Sequence, residues 1–149
     1  MAAGFRMVMG PGPGEVAKAL AAFAAFVESR GIPAEVRRGM LVVLDELLAN
    51  IASYGMAGRT DGRMSVEAEL SPDVLEVTVS DNGPPFDPFA HTAPDTTLAL
   101  EDRPIGGLGI YLVQRLVDDA RYARMAGRNV LVLTKRLPAG ASPELEGGA

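Results

Sequence analysis

The stretch that decides the fold covers residues 74–88 and reads VLEVTVSDNGPPFDP. Apolar side chains occupy every second position from Leu75 to Val79, which predicts a half-buried strand over Val74–Asp81. The same alternation puts the carboxylate of Asp81 on the buried face of that strand. An unpaired carboxylate there costs on the order of several kcal/mol. Asp81 therefore needs hydrogen-bond donors, from the protein or from a ligand.

The residues after Asp81 indicate a ligand pocket. Gly83 has no Cβ, so a flat group can approach its backbone closely. About twenty residues further on, the sequence Gly-Gly-Leu-Gly at 106–109 precedes an apolar helical run, and free amides at a helix N-terminus bind phosphate. A base amino group on Asp81 and phosphates at the glycines would span one nucleotide.

Composition limits the class of protein. The 149 residues suit one domain, which we expect to cover residues 1–137, with a disordered tail at 138–149. Nineteen acidic residues against fourteen basic ones give a net charge of −5, and no basic run carries interleaved aromatics, which argues against direct binding of nucleic acid. No apolar run is long enough to cross a membrane. The lack of cysteine and of an apolar leader favours the cytoplasm.

Periodicity predicts the remaining elements and a long loop between them. The loop at 84–104, here called the lid, contains five prolines and little periodicity, as functional loops often do. Its His91 is the only histidine of the chain and is expected at the surface. The predicted elements are an edge strand Phe5–Met9, helices Glu15–Arg30 and Ala34–Tyr54, a strand Met64–Leu70, an apolar helix after the glycines, and strands Arg121–Met125 and Asn129–Lys135.

The second predicted helix carries two polar residues of chemical interest. Glu46 and Asn50 are four residues apart, so they lie on one helix face, turned away from the apolar stripe. A carboxylate can act on a hydroxyl or a water, and an amide oxygen can ligate Mg²⁺ that is shared with phosphates. Taken alone, the pair is more simply interpreted as part of a solvated helix face.

Three sequence blocks together resemble a known superfamily, the GHKL (Bergerat-fold) ATPases and kinases. The blocks are DELLAN at 45–50, DNGPPFD at 81–87 and GGLGIYLV at 106–113. Within that superfamily the chain is similar to the stand-alone serine kinases that act as bacterial anti-sigma factors, and this similarity continues through residues 116–135. Each block is weak alone, but three in order are a strong signal.

The resemblance implies a fold and a set of roles. The fold is a two-layer α/β sandwich with a mixed, mostly antiparallel sheet, helices on one face and a mobile ATP lid. Glu46 is the implied catalytic carboxylate, and Asn50 the implied ligand of Mg²⁺. The implied ATP-binding residues are Asn50, Asp81, Gly83, Gly106, Gly107, Leu108 and Gly109. Arg103, at the end of the lid, is a candidate contact for the γ-phosphate or a partner, although a solvated charge is the simpler interpretation.

The same resemblance implies partners. In the anti-sigma kinases, the γ-phosphate goes to a serine of a STAS-domain antagonist, and the kinase sequesters a sigma factor; a homodimer is also expected. Two positions depart from the family pattern: Tyr54 stands where a histidine is common, and Pro85 where a second glycine is common. Neither departure removes a ligand group, but Pro85 stiffens the entry to the lid.

Two other functions remain open from the sequence. One is a non-catalytic, ATP-binding partner switch, against which the presence of Glu46 argues. The other is a histidine-kinase-type catalytic domain acting in trans, because the chain has no phosphoacceptor helix of its own. A Walker ATPase is excluded by the missing Gly-x-x-x-x-Gly-Lys run, and a Rossmann dehydrogenase by the missing third glycine at Leu112.

Overall fold

The chain builds one open sheet of five strands. A computed structural model describes residues 3–55, 58–90 and 107–138. The strands are β1 (Ala3–Met9), β2 (Met64–Leu70), β3 (Val74–Asp81), β4 (Asp119–Met125) and β5 (Arg128–Arg136), in the spatial order β1-β2-β3-β5-β4. All four pairings among these strands are antiparallel. The predicted, largely antiparallel sheet is confirmed, and no parallel pair occurs in the described residues.

Three α-helices accompany the sheet: α1 (Glu15–Ser29), α2 (Ala34–Asn50) and α3 (Gly107–Leu116). The sequence predicts one helix over Ala34–Tyr54, and helical structure does reach Gly55, but residues Ile51–Gly55 form a π-helical turn instead of α-helix. Each backbone hydrogen bond of a π-turn spans one residue more than in an α-helix, and such turns are frequent at functional sites. Periodicity does not distinguish such a turn from the end of an α-helix. None of the described helices is long and apolar enough to cross a membrane.

The core lies between the helices and one face of the sheet. Alternate residues of β2 and β3 are buried, while Glu67 and Glu69 point from the opposite face into solvent. Phe23 of α1 and Leu44 of α2 are fully buried against this inner face. A two-layer sandwich follows, with the helices on one face of the sheet, as the sequence predicts.

The hairpin of β4 and β5 fixes the register that matters for the site. Ala126 and Gly127 have φ angles of 51° and 77°, the left-handed pair that a two-residue hairpin turn requires. The register of β5 on β3 then sets Asn129 directly opposite Asp81. Two polar residues, 48 positions apart in sequence, thereby meet on the inner face of the sheet.

Several sequence predictions concern residues outside the described ranges. These are His91, Arg103, Gly106, the lid from residue 91 onward and the tail from residue 139. The described start of the lid, residues 84–90, ends in a single 3-10 turn at Pro88–Ala90.

Candidate functional site

A cavity of about 160 Å³ lies between α2, the end of β3 and the start of the lid. Its walls are mainly apolar, and Asn50 and Asp81 both contribute polar atoms to it. The complete lining is Leu47, Asn50, Ile51, Asp81, Pro84, Pro85, Phe86, Pro88, Asn129 and Leu131. A mostly apolar slot with a few fixed polar groups is the usual form of a site for a flat, heteroaromatic ligand.

Asp81 is the most buried acidic group in this cavity, with only 4% of its surface exposed. Its Oδ1 accepts hydrogen bonds from the Gly83 amide at 2.8 Å and from the Asn129 side-chain nitrogen at 3.0 Å. Its Oδ2 has no hydrogen-bond partner among the described residues. One oxygen is therefore held by the protein, and the other is available to an amino group of a ligand.

Gly83 takes a different place from the one the sequence suggests. It does not line the cavity. Its amide binds Asp81, and its carbonyl oxygen accepts a hydrogen bond from Arg124 Nη1 at 2.8 Å. The backbone of Gly83, two residues after Asp81, thus helps to hold the Asp81 carboxylate in place.

Glu46 and Asn50 lie one turn apart on α2, as predicted, but only Asn50 lines the cavity. Asn50 is half-buried in the cavity wall, and its amide has no hydrogen-bond partner among the described residues. Glu46, one turn earlier, lies outside the cavity and contacts Gly109. A Cβ built on Gly109 would overlap the Glu46 carboxylate. Only glycine fits at position 109 with Glu46 where it is.

The glycine-rich segment forms the beginning of α3. The helix starts at Gly107, so Gly107, Leu108 and Gly109 make up its first turn. Amides of a first helical turn have no partner within the helix and carry the positive end of its dipole. The structure thus brings the predicted phosphate segment next to Glu46, one helical turn from Asn50.

The residues fit a magnesium ion that is shared with phosphates. Among the described residues, no group of three or more acidic, histidine or cysteine side chains could hold a metal ion by itself. The side-chain oxygen of Asn50 would supply one ligand, and Mg²⁺ commonly takes one or two protein ligands together with substrate phosphates and waters. The site therefore suits Mg²⁺ delivered with a nucleotide.

Asn129 is the residue that the sequence analysis missed. It is 5% exposed, lines the cavity and binds Asp81 directly. A signal was present, because position 129 continues the inward alternation of Leu131 and Leu133 with a polar residue, as Asp81 does in its own strand. Only the register of β5 on β3 shows that the two polar residues meet.

Comparison with known proteins identifies the family of the chain. A family model described as a histidine kinase-like ATPase domain matches residues 11–135, most of the chain. The chain belongs to the histidine kinase-like ATPase family. A domain of this family implies that the chain binds ATP.

Individual relatives of this ATPase family member are protein kinases. The serine-protein kinase RsbW of Listeria monocytogenes is 33% identical over 109 residues, which cover 70% of this chain and 69% of the relative. RsbW of Listeria innocua is 32% identical over the same shares of the two chains. These matches confirm the resemblance to the GHKL ATPases and kinases and to their serine-kinase members.

A solved structure confirms the architecture. The crystal structure of the RsbU and RsbW domains of Rv1364c from Mycobacterium tuberculosis superposes with a TM-score of 0.66 at 18% identity. The match covers 91% of this chain and 32% of that one, so the present chain spans about a third of that structure. At this identity the likeness supports the fold alone.

Proposed function

We propose that this protein is an ATP-dependent protein-serine kinase and partner-switching regulator. It transfers the γ-phosphate of ATP to a serine of a STAS-domain antagonist, and it sequesters a sigma factor. The single observation that carries the proposal is the position of Glu46, which contacts Gly109 at the start of α3. A chain that only binds ATP needs the base pocket and the phosphate segment, but no carboxylate between them.

The division of roles follows from the geometry of α2. Asn50 lines the cavity and holds Mg²⁺ beside the phosphates, while Gly107, Leu108 and Gly109 offer backbone amides to them. Glu46 lies one turn before Asn50 on α2, where it accepts the proton of the attacking serine hydroxyl. Phosphoryl transfer depends mainly on such positioning and on neutralising charge. Arg103 and Gly106 belong to this proposal as further phosphate contacts.

The partners and the assembly are part of the same proposal. It rests on the resemblance to the stand-alone anti-sigma kinases and on relatives that carry the name serine-protein kinase. We include a homodimer and a cytoplasmic location, since ATP and sigma factors are found there. Light scattering on the purified chain measures the assembly directly, and a monomer at micromolar concentration would contradict the dimer.

The testing experiment measures transfer of label from γ-labelled ATP with Mg²⁺ to STAS-domain proteins of the same organism. Glu46→Gln removes the acceptor for the hydroxyl proton with little change in shape. Asp45→Asn is the matched control, because Asp45 is the neighbouring acidic residue on α2 and its side chain is exposed to solvent. We expect transfer to fall by roughly 100-fold or more in Glu46→Gln and to stay near the native rate in Asp45→Asn.

The outcomes separate the candidate functions. Label on a serine, lost in Glu46→Gln alone, supports the serine kinase and identifies its antagonist. Tight ATP binding without transfer to any STAS protein favours the non-catalytic partner switch. Label on a histidine of a second protein favours the histidine-kinase-type domain acting in trans.

A further inference from the structure

The side-chain amide of Asn129 has only one orientation that satisfies its neighbours. Its Oδ1 accepts the backbone N–H of Phe86 at 3.1 Å, and its Nδ2 donates to the carbonyl oxygen of Pro84 at 2.8 Å. A backbone amide can only donate and a carbonyl can only accept, so these two contacts fix which end is nitrogen. The second N–H of Nδ2 then donates to Asp81, and the second lone pair of Oδ1 accepts the Tyr122 hydroxyl at 2.6 Å.

This orientation determines how Asp81 is presented to the cavity. Asn129 and the Gly83 amide both bind the same carboxylate oxygen, Oδ1. Two donors on one oxygen restrict rotation of the carboxylate, so Oδ2 keeps a fixed direction. A buried carboxylate strengthens its hydrogen bonds and makes their geometry more selective. The direction of Oδ2 therefore depends on Asn129, which in turn depends on Tyr122.

The same residues hold the start of the lid. Asn129 binds Pro84 on one side of Pro85 and Phe86 on the other. Arg124 of β4 adds a hydrogen bond to the carbonyl of Gly83. Residues 83–86 are thus attached to β4 and β5 by side chains, and residues 84–86 form a wall of the cavity.

We propose that Asn129, held in place by Tyr122, is a positioning residue that sets the selectivity for the base. It directs Oδ2 of Asp81 toward a donor, the exocyclic amino group at position 6 of a purine, and so disfavours a 6-oxo purine. This inference rests on the proposed nucleotide function and adds a residue pair to it. Neither residue needs to touch the phosphates.

The test compares ATP with inosine triphosphate, which carries an oxo group in place of the 6-amino group. Dissociation constants of both Mg²⁺ complexes are measured by calorimetry for the native chain, Asn129→Asp, Tyr122→Phe and Tyr111→Phe. Asn129→Asp sets a carboxylate against Asp81 and the Pro84 carbonyl. Tyr122→Phe removes one donor and leaves the backbone contacts of Asn129 in place. Tyr111→Phe is the control, because its hydroxyl binds Arg115 on the exposed side of α3.

We expect the native chain to prefer ATP. The preference for ATP over inosine triphosphate should fall about fivefold in Tyr122→Phe and about tenfold or more in Asn129→Asp. Tyr111→Phe should keep the native preference. Equal weakening of both nucleotides, together with a lowered Tm, would assign the pair a structural role and overturn the inference. An unchanged preference in Tyr122→Phe and Asn129→Asp would also overturn it. Failure of the native chain to bind ATP would overturn the proposed function and this inference with it.

Discussion

The base end proposed for the site, at Asp81 and Asn129, and the proposed phosphate end, at Asn50 and Glu46, are built in opposite ways. At the base end, Asp81 and Asn129 are buried, and the Asn129 amide uses all its hydrogen-bonding positions within the protein. At the phosphate end, Asn50 and Glu46 are only partly buried and have no hydrogen-bond partner among the described residues. Both ends are joined by α2, whose successive turns reach from one to the other.

The difference follows from the chemistry of the two parts of a nucleotide. A base is flat, neutral and largely apolar, so its pocket can be dry, and a polar group buried there must be paired either by the protein, as Asp81 Oδ1 is, or by the ligand. Phosphates and Mg²⁺ bring their own charges, and the groups that bind them stay near water until the ligand arrives. We therefore expect substitutions at the two ends to affect different parts of the ligand.

The largest effect is expected from Asn50→Ala at the phosphate end. Removing the oxygen proposed to ligate Mg²⁺ should weaken binding of Mg·ATP by at least about 100-fold, while binding of adenosine changes little. Calorimetry with each ligand measures the two affinities separately. Asn82→Ala is the matched control, since the Asn82 amide binds residues 61 and 63 outside the cavity. Equal loss of adenosine and Mg·ATP would show that the two ends are not separable.

Gly109→Ala tests the contact between α2 and α3. The new Cβ would overlap the Glu46 carboxylate and displace it, so phosphate transfer should fall by up to about 100-fold, with adenosine binding retained. Gly39→Ala is the control, because its Cβ would meet only a methyl group of Leu116 at 3.9 Å. An alanine within α2 should raise the free energy of unfolding by about 0.5–1 kcal/mol. Native transfer rates in Gly109→Ala would mean that Glu46 acts from elsewhere.

Asp81→Asn addresses the base end. It keeps the size of the side chain and places an N–H where a ligand amino group needs an acceptor. ATP affinity should fall about tenfold. The far-ultraviolet circular dichroism spectrum of the variant should match that of the native chain, because the fold is retained. Affinity for inorganic triphosphate with Mg²⁺ should stay the same, because it has no base. A parallel loss of triphosphate binding would contradict the division between the two ends.

The smallest effect on the site is expected from Glu15→Gln, which is remote from both ends. The hydrogen bond from the Gly10 amide lowers the pKa of the Glu15 carboxyl below its ordinary value of 4.5. A lowered pKa in the folded state contributes stability above pH 4.5, and that contribution is lost as the pH falls through the folded value. Urea unfolding should show native and variant chains differing near neutral pH and converging in acid, with ATP affinity equal throughout. A difference in the free energy of unfolding between the two chains that grows as the pH falls would contradict the lowered pKa of Glu15.

The sequence by itself determined the elements and most of the candidate residues. The strand Val74–Asp81 and its buried carboxylate follow from period-2 alternation alone. The position of Glu46 one turn before Asn50 on the same face of α2 follows from the helical repeat. The turn at Ala126 and Gly127 follows from local backbone preference. These features depend on near neighbours in the chain, which a sequence displays directly.

Only the tertiary structure decided which distant residues meet in the site. The register of β5 on β3 brings Asn129 to Asp81, and the packing of α3 on α2 brings Gly109 to Glu46. The attachment of residues 83–86 to β4 and β5 is a further example. Each depends on contacts between residues far apart in sequence, since strand register and helix packing are set by the whole core and not by any single segment.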